Sequence, residues 1–127
     1  MQIAKTMQFF RRLAGLEHAA PFQDLVDAAV SAVLRELRDG ADQNDIRLAY
    51  YAAACANLQY RRLIAAQSCS VTYAGSAAAQ KTSDTQCAIA ESLMRYYREI
   101  AADLLRDDRF LFANIPDCCR KCQDGGA

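Results

Sequence analysis

Residues 46–64 read IRLAYYAAACANLQYRRLI, and apolar side chains recur there every three or four positions for about five turns of an α-helix. We therefore predict a long helix, whose apolar face consists of Ile46, Ala49, Tyr50, Ala53, Ala56, Asn57, Tyr60, Leu63 and Ile64. The run of Ala in its middle adds little side-chain bulk, so a neighbouring helix can approach closely. Asn57 is the polar member of this face, and we interpret it as a hydrogen-bonded core amide without a site role.

Two further helices precede this segment. The first is short, with an apolar side formed by Ile3, Met7, Phe10 and Ala14, and we expect it to end near Gly15. The second starts at Pro21 and has an apolar face of Phe22, Leu25, Val26, Ala29, Val33, Leu34 and Leu37. Gly40 is expected to supply the left-handed residue that closes the second helix, and Asp42 is expected to cap the long one.

The helical period disappears between residues 67 and 83. We predict an exposed loop over residues 68–83, with a helical turn allowed at residues 77–80. A loop of this length in a small domain is more often functional than merely connecting. Ser83 or Asp84 then caps a long last helix with apolar positions at Cys87, Ala90, Leu93, Met94, Tyr97, Ile100, Ala101, Leu104 and Leu105.

Composition agrees with an all-α fold. The 127 residues fit one domain, and they include 25 Ala against 14 Val, Ile and Thr together. We predict a small antiparallel bundle of three long helices plus a short N-terminal helix, with a long loop before the last helix. The domain spans residues 1–116, and residues 117–127 form a flexible Cys-rich tail.

Charge and hydropathy argue against two classes of function, dedicated nucleic-acid binding and membrane spanning. Lys plus Arg and Asp plus Glu are 15 each, so no basic excess exists to bind a row of phosphates. Local basic pairs such as Arg61 with Arg62 leave nucleic-acid contact as a minor alternative, although surface Arg is ordinary on amphipathic helices. No apolar run approaches the ~20 residues of a membrane span, so we expect no membrane partner.

Three of the six cysteines cluster near the end of the sequence, at Cys118, Cys119 and Cys122. A structural zinc site usually has four ligands in two separated pairs, and this cluster supplies one pair with an extra neighbour. Residues 1–20 lack the apolar core of a signal peptide, so we expect reduced thiols in a cytosol. We predict no metal site and interpret these residues as free thiols.

No recognisable catalytic constellation is present in the sequence. The single His18 lies in an expected turn and has no Glu three positions before it, which excludes the di-iron pattern of helical bundles. Phosphate-binding, dinucleotide-binding, hydrolase and zinc-protease motifs do not occur. We therefore predict no catalytic residue, no cofactor and no enzymatic activity.

The order of helices and loops resembles that of the small helical head-tail connector proteins of tailed bacteriophages and prophages, which sit on the portal. The resemblance covers residues 22–112. The segments that carry it are residues 34–41 (LRELRDGA), 45–54 (DIRLAYYAAA), 71–76 (VTYAGS), 90–94 (AESLM) and 104–110 (LLRDDRF). The cysteine cluster departs from the pattern that we associate with this family.

The resemblance implies a virion assembly subunit, located in the phage neck and in the host bacterial cytoplasm before assembly. Such a subunit would form an oligomeric ring between the portal protein and the tail or stopper proteins, and DNA would pass through without sequence-specific binding. We predict subunit or portal contacts at Val71, Tyr73, Phe110, Phe112 and Ile115, with Tyr73 as an anchor. The alternative is a cytosolic helical protein-binding or regulatory module with a metal- or redox-sensitive Cys tail.

Overall fold

The computed structural model of the chain describes the backbone of residues 1–69 and 76–106 and the side chains of residues 1–67 and 82–106. This part of the chain contains four α-helices and no named strand: α1 (Ile3–Ala14), α2 (Gln23–Glu36), α3 (Ile46–Cys69) and α4 (Ser76–Ile100). Short 3₁₀ turns precede α2 and follow α4, at Ala20–Phe22 and Ala102–Leu104. The prediction of a small all-α bundle is confirmed.

The long helix α3 is the centre of the bundle, and α1, α2 and α4 all pack against it. Contacts between Arg47 and Ile100, and between Arg61 and Gln86, show that α3 and α4 run antiparallel. The Ala residues of mid-α3 are fully buried at positions 52, 53, 54 and 56, so small side chains do permit close approach. The predictions of a long helix here and of close approach at its middle are therefore confirmed, although Leu63 of the predicted apolar face is 41% exposed.

Helix α1 ends as predicted, because Gly15 adopts a left-handed φ of 69° that lets its N–H bond back to the last turn. The predicted end of α2 at Gly40 is wrong. The helix stops at Glu36, and Leu37 is extended and forms an isolated antiparallel bridge with Leu105. Gly40 instead takes its positive φ of 82° in the turn that follows. The chain leaves the helical conformation at Leu37 and buries this side chain with Leu105 in the core, where the prediction had one more helical turn.

The cap of α3 also differs from the prediction. Asp42 accepts a hydrogen bond from the Asn44 amide, two residues before the helix starts. Asp45 is the residue whose side chain accepts the Arg47 amide at 2.9 Å, which is the N-cap arrangement. The chain offers two Asp side chains with local hydrogen-bonding ability, and the helix begins after the second one.

The predicted loop over residues 68–83 is wrong in most of its length, because α3 continues to Cys69 and α4 already begins at Ser76. Residues 76–80 read SAAAQ, and the high helix propensity of Ala lets the helix form without an apolar period. At its other end α4 stops at Ile100. Leu104 and Leu105 are buried as predicted, from a 3₁₀ turn and the bridge to Leu37.

Candidate functional site

The five contact residues that we predicted from the sequence, Val71, Tyr73, Phe110, Phe112 and Ile115, lie outside the residues that the structure describes. Their role stays a prediction. The same holds for Cys118, Cys119 and Cys122. Two other features, both on or beside α4, are candidates for a functional surface.

The first feature is a line of apolar side chains on α4, formed by Ile89, Leu93, Tyr96 and Ile100, which we call the α4 stripe. The spacing of four, three and four residues keeps them on one side of the helix over roughly 17 Å. Ile89 and Tyr96 are each 56% exposed and Ile100 is 37% exposed, while Leu93 is half-buried. On the predicted apolar face, Ala90 and Ala101, the residue after α4, are buried, whereas the prediction was wrong for Ile100, which is exposed.

Aromatic contacts hold the middle of the α4 stripe in place. The ring of Tyr96 meets that of Tyr97 edge-on at 5.2 Å between centroids. Tyr97 in turn contacts Phe9 of α1 at 5.5 Å and Tyr50 of α3 at 5.9 Å. Edge-to-face packing of this kind is favourable. The exposed Tyr96 therefore packs against a residue, Tyr97, that is itself packed into the bundle.

The second feature is an open cleft of about 180 Å³ between α1, α3 and α4, which we call the Asn57 cleft. Its apolar walls come from all three helices, and its polar groups come from α3 and α4. The lining residues are Leu13, Asn57, Arg61, Gln86, Ile89, Ala90 and Leu93. Ile89 and Leu93 belong to both the cleft and the α4 stripe, so the two features form a continuous surface.

Asn57 differs from its predicted role as a hydrogen-bonded core amide. The residue is 3% exposed, and its Oδ1 has no hydrogen-bond partner in the described part of the chain. A buried acceptor without a partner costs stability, so this oxygen departs from the usual pattern of buried polar groups.

Arg61 closes one side of the Asn57 cleft and connects the three helices. Its Nη2 donates to the main-chain oxygens of Leu13 and Ala14 at 3.3 and 3.2 Å, where α1 ends, and its Nη1 donates to Oε1 of Gln86 on α4 at 3.5 Å. The positive charge is favourable there because the end of a helix carries partial negative charge. Arg61 therefore places a fixed cation beside the cleft.

The opposite end of the bundle holds two polar clusters, and both have structural roles. Arg47 at the start of α3 bonds Asp45 and Asp103 at 2.9 Å each. The hydrogen bonds from Arg47 lower the pKa of Asp45, and in return Asp45 raises the pKa of Arg47. These contacts join the start of α3 to the turn after α4.

The second cluster centres on Glu36, which accepts the hydroxyl of Tyr51 at 3.1 Å and lies 3.7 Å from Arg98. Burial, assisted by the negative charge of Glu36, raises the pKa of Tyr51 and raises the pKa of Cys55 to about 12. Since the thiolate is the nucleophile, Cys55 is an inert thiol at neutral pH.

Within residues 1–69 and 76–106, whose side chains are described at 1–67 and 82–106, no three described His, Cys, Asp or Glu side chains lie close enough together to hold a metal ion. No helix in this same range combines the length and apolar character that a bilayer crossing requires. His18, which we expected in a solvated turn, is exposed.

Comparison of this chain with protein-family models, with curated proteins and with solved structures finds no match. The resemblance to connector proteins therefore rests on the sequence pattern. Sequence reasoning missed both candidate features. Ile89 and Tyr96 are seven residues apart, which is a helical spacing, but the prediction followed the larger set of apolar residues on the buried face of α4. Nothing in the sequence indicates that Asn57 lacks a hydrogen-bond partner.

Proposed function

We propose that this chain is a structural assembly subunit of the phage or prophage head-tail connector type, which associates with further copies of itself through α4. The observation that carries the proposal is the α4 stripe. Single exposed apolar residues are normal on protein surfaces, but a contiguous line of branched and aromatic side chains is typical of an interaction site. An association surface on a rigid outer helix is what a ring subunit requires.

A second copy of the chain is the occupant that we favour for the α4 stripe. The formal net charge is zero, so copies do not repel one another as they approach. A stripe of roughly 17 Å buries little area on its own, so a single pair of copies would be weakly bound. In a closed ring each subunit makes two contacts, and closure strengthens the assembly.

The connector resemblance adds the other partners to this proposal. The portal protein would lie on one side of the ring, and tail or stopper proteins would lie on the other. A neutral subunit suits a channel through which DNA must pass without being held, because phosphate binding depends on clustered positive charge.

Self-association is tested with a charged double variant, Tyr96→Lys with Ile100→Lys, followed by sedimentation or light scattering across a concentration series. Lys is compatible with a helix and favourable near its C-terminus, so the fold should survive. We expect association to weaken at least about tenfold, because two apolar contacts become charged. The matched control is Ile3→Lys with Leu63→Lys, which adds the same charge at positions 46% and 41% exposed outside α4.

A wild-type chain that stays monomeric at millimolar concentration, or a control that weakens association equally, would contradict the use of α4. The connector role needs its own experiment, which is co-expression with the portal protein encoded in the same genome. We expect a ring of this chain to co-purify with the portal. Stoichiometric zinc that survives dialysis, together with failure to bind the portal, would instead favour the regulatory module with a Cys tail.

A further inference from the structure

We propose that residues 110–115 of one copy, which we call the 110–115 arm, bind in an extended conformation along the α4 stripe of the neighbouring copy. This inference rests on the proposed self-association through α4 and identifies the segment that the stripe binds. Three observations support it: the exposure of the stripe, the composition and length of the arm, and the place where the described chain ends.

The composition of the arm suits an apolar surface. Residues 110–116 read FLFANIP and carry no charge, while charged residues stand on both sides, DDR at 107–109 and Asp117. Aromatic side chains are enriched where protein surfaces associate. On the stripe, Ile89 and Tyr96 are each 56% exposed, so these two side chains have room for an apolar partner.

The length of the arm matches that of the stripe. Extended residues 110–115 span about 17 Å at ~3.3 Å per residue, and the stripe runs for roughly 17 Å along α4. Alternate residues of an extended segment lie on the same side, which puts Phe110 and Phe112 ~7 Å apart on one side of the arm. Tyr96 and Ile100 are ~6 Å apart along the helix axis. The two Phe rings can therefore contact successive residues of the stripe.

The described chain ends on the far side of α4 from the stripe. The Arg106 amide donates to the main-chain oxygen of Glu36 at 2.8 Å, and the Glu36 carboxylate lies 3.7 Å from Arg98 of α4. Because ~3.6 residues make one turn, Arg98 lies about 160° around the helix from Tyr96 and from Ile100. The chain therefore leaves the described fold on the side that carries Arg98.

This position favours the stripe of another copy over the stripe of the same chain. Half the circumference of a helix ~10 Å wide is about 16 Å. The four residue steps from Arg106 to Phe110 cover at most ~14 Å. The connection is therefore too short to pass around α4 and start the arm on its own stripe.

Binding of an arm to a stripe also suits the ring that we propose. Two stripes that pair with each other form an isologous contact, which stops at a dimer. An arm and a stripe are different surfaces, so each copy uses one surface for each of its two neighbours. Such a heterologous contact continues from copy to copy and can close into a ring.

The first test is sedimentation of Phe110→Ser with Phe112→Ser in the full chain across a concentration series. We expect association to weaken at least about tenfold, because two apolar contacts are lost. The matched control is Leu111→Ser with Ala113→Ser, at the alternating positions that an extended arm turns away from the stripe. The control should change association less than about twofold.

Mixing two variants tests whether the arm binds another copy. Tyr96→Lys with Ile100→Lys keeps the arm, and Phe110→Ser with Phe112→Ser keeps the stripe. Each variant alone should stay monomeric where wild-type chains associate. An equimolar mixture at millimolar concentration should give a 1:1 complex and nothing larger, because one intact arm and one intact stripe remain. Absence of this complex would overturn the proposal.

The failures of the two proposals are distinguishable. If the Ser variant associates like the wild type while Tyr96→Lys with Ile100→Lys still weakens association, the arm is overturned and self-association through α4 stands. A wild-type chain that stays monomeric contradicts both.

A photo-crosslink covers the case in which the Ser variant fails to fold. Benzoylphenylalanine in place of Phe110 keeps an aromatic side chain, and a mixture of unlabelled and isotope-labelled chains shows by mass spectrometry which copy it reacts with. We expect products that join position 110 of one copy to the α4 stripe of another. Products within single copies only, or at another surface, would overturn the proposal.

Discussion

Helices α3 and α4 are nearly equal in length, with 24 and 25 residues, but they occupy different environments. In α3 the middle turns are buried on every side, because α1, α2 and α4 surround them. In the described part of the chain, the backbone of α4 packs closely against no helix other than α3, and Ile89 and Tyr96 remain 56% exposed. The apolar side chains in the middle of α3 thus form part of the core, whereas several apolar side chains of α4 remain exposed.

This difference separates side chains that stabilise the fold from side chains that are available to a partner. Substitutions in mid-α3 should lower the free energy of unfolding. The most severe ones should leave no folded protein that can assemble. Substitutions on the α4 stripe should leave that free energy nearly unchanged and alter association.

The largest expected effect is that of Leu48→Ala in α3. Leu48 is 0% exposed, so truncation leaves a cavity and should lower the free energy of unfolding by about 2–5 kcal/mol, measured by urea denaturation. Ile89→Ala in α4 is the counterpart and should cost less than about 0.5 kcal/mol, because the side chain is largely in solvent. Equal losses in the two variants would remove the contrast between the helices.

Ala53→Leu tests the close packing around α3. Ala53 is fully buried, and added methyl groups must push a neighbouring helix away, so we expect a loss of about 1–3 kcal/mol in the free energy of unfolding. Ala88→Leu makes the same change at an exposed position of α4 and should be nearly neutral. If Ala53→Leu were harmless, α3 would not be tightly enclosed.

Alkaline pH should lower the free energy of unfolding, because it ionises a thiol that is largely buried in α3. Burial raises the pKa of Cys55 to about 12, so the thiol ionises in the unfolded chain at lower pH than in the folded one. Its contribution to stability is present below the unfolded pKa near 9 and is lost as pH rises from there towards 12.

Between pH 8 and pH 10.5 this contribution should fall by about 1–2 kcal/mol. Cys55→Ala removes the titrating thiol and should flatten the alkaline decline in thermal unfolding. Tyr51→Phe should flatten it further, because burial also raises the pKa of Tyr51. An unchanged alkaline decline in both variants would show that other groups cause it.

The smallest expected effect concerns the start of α3, where Asp45 supplies a side-chain cap that the start of α1 lacks. Asp45→Ala should cost about 1 kcal/mol in the free energy of unfolding. Asp45→Asn should cost less, since Asn also caps.

Because Arg47 lowers the pKa of Asp45, the ionic part of the Asp45 contribution is present above the usual pKa near 3.8 and is lost as pH falls below it. The decline in stability on acidification should therefore be smaller in Asp45→Asn than in the wild type. Identical acid profiles would indicate that the ion pair contributes nothing measurable, as exposed pairs often do.

Prediction from the sequence succeeded where one segment carries its own signal. The period of residues 46–64 and the Ala run within it predicted a long, closely packed helix, and Gly15 predicted the end of α1. Prediction failed where two local options were nearly equal. Asp42 and Asp45 can both cap a helix, and residues 76–80 can form either a loop or a helix. In each case, packing against a neighbouring helix decided between the two options.

The sequence by itself determined that the chain is all-α and which residues of each helix form an apolar face, because helix propensity and periodicity act within a few turns. Only the structure shows that α3 is central. The tertiary structure decided where α2 ends, since Leu37 pairs with Leu105, which is 68 positions away. Among the described residues it also decided that Asn57 Oδ1 has no hydrogen-bond partner and that Ile89 and Tyr96 of the α4 stripe stay exposed. These properties depend on the number and the positions of the helices that pack around each helix. No local pattern of residues encodes that arrangement.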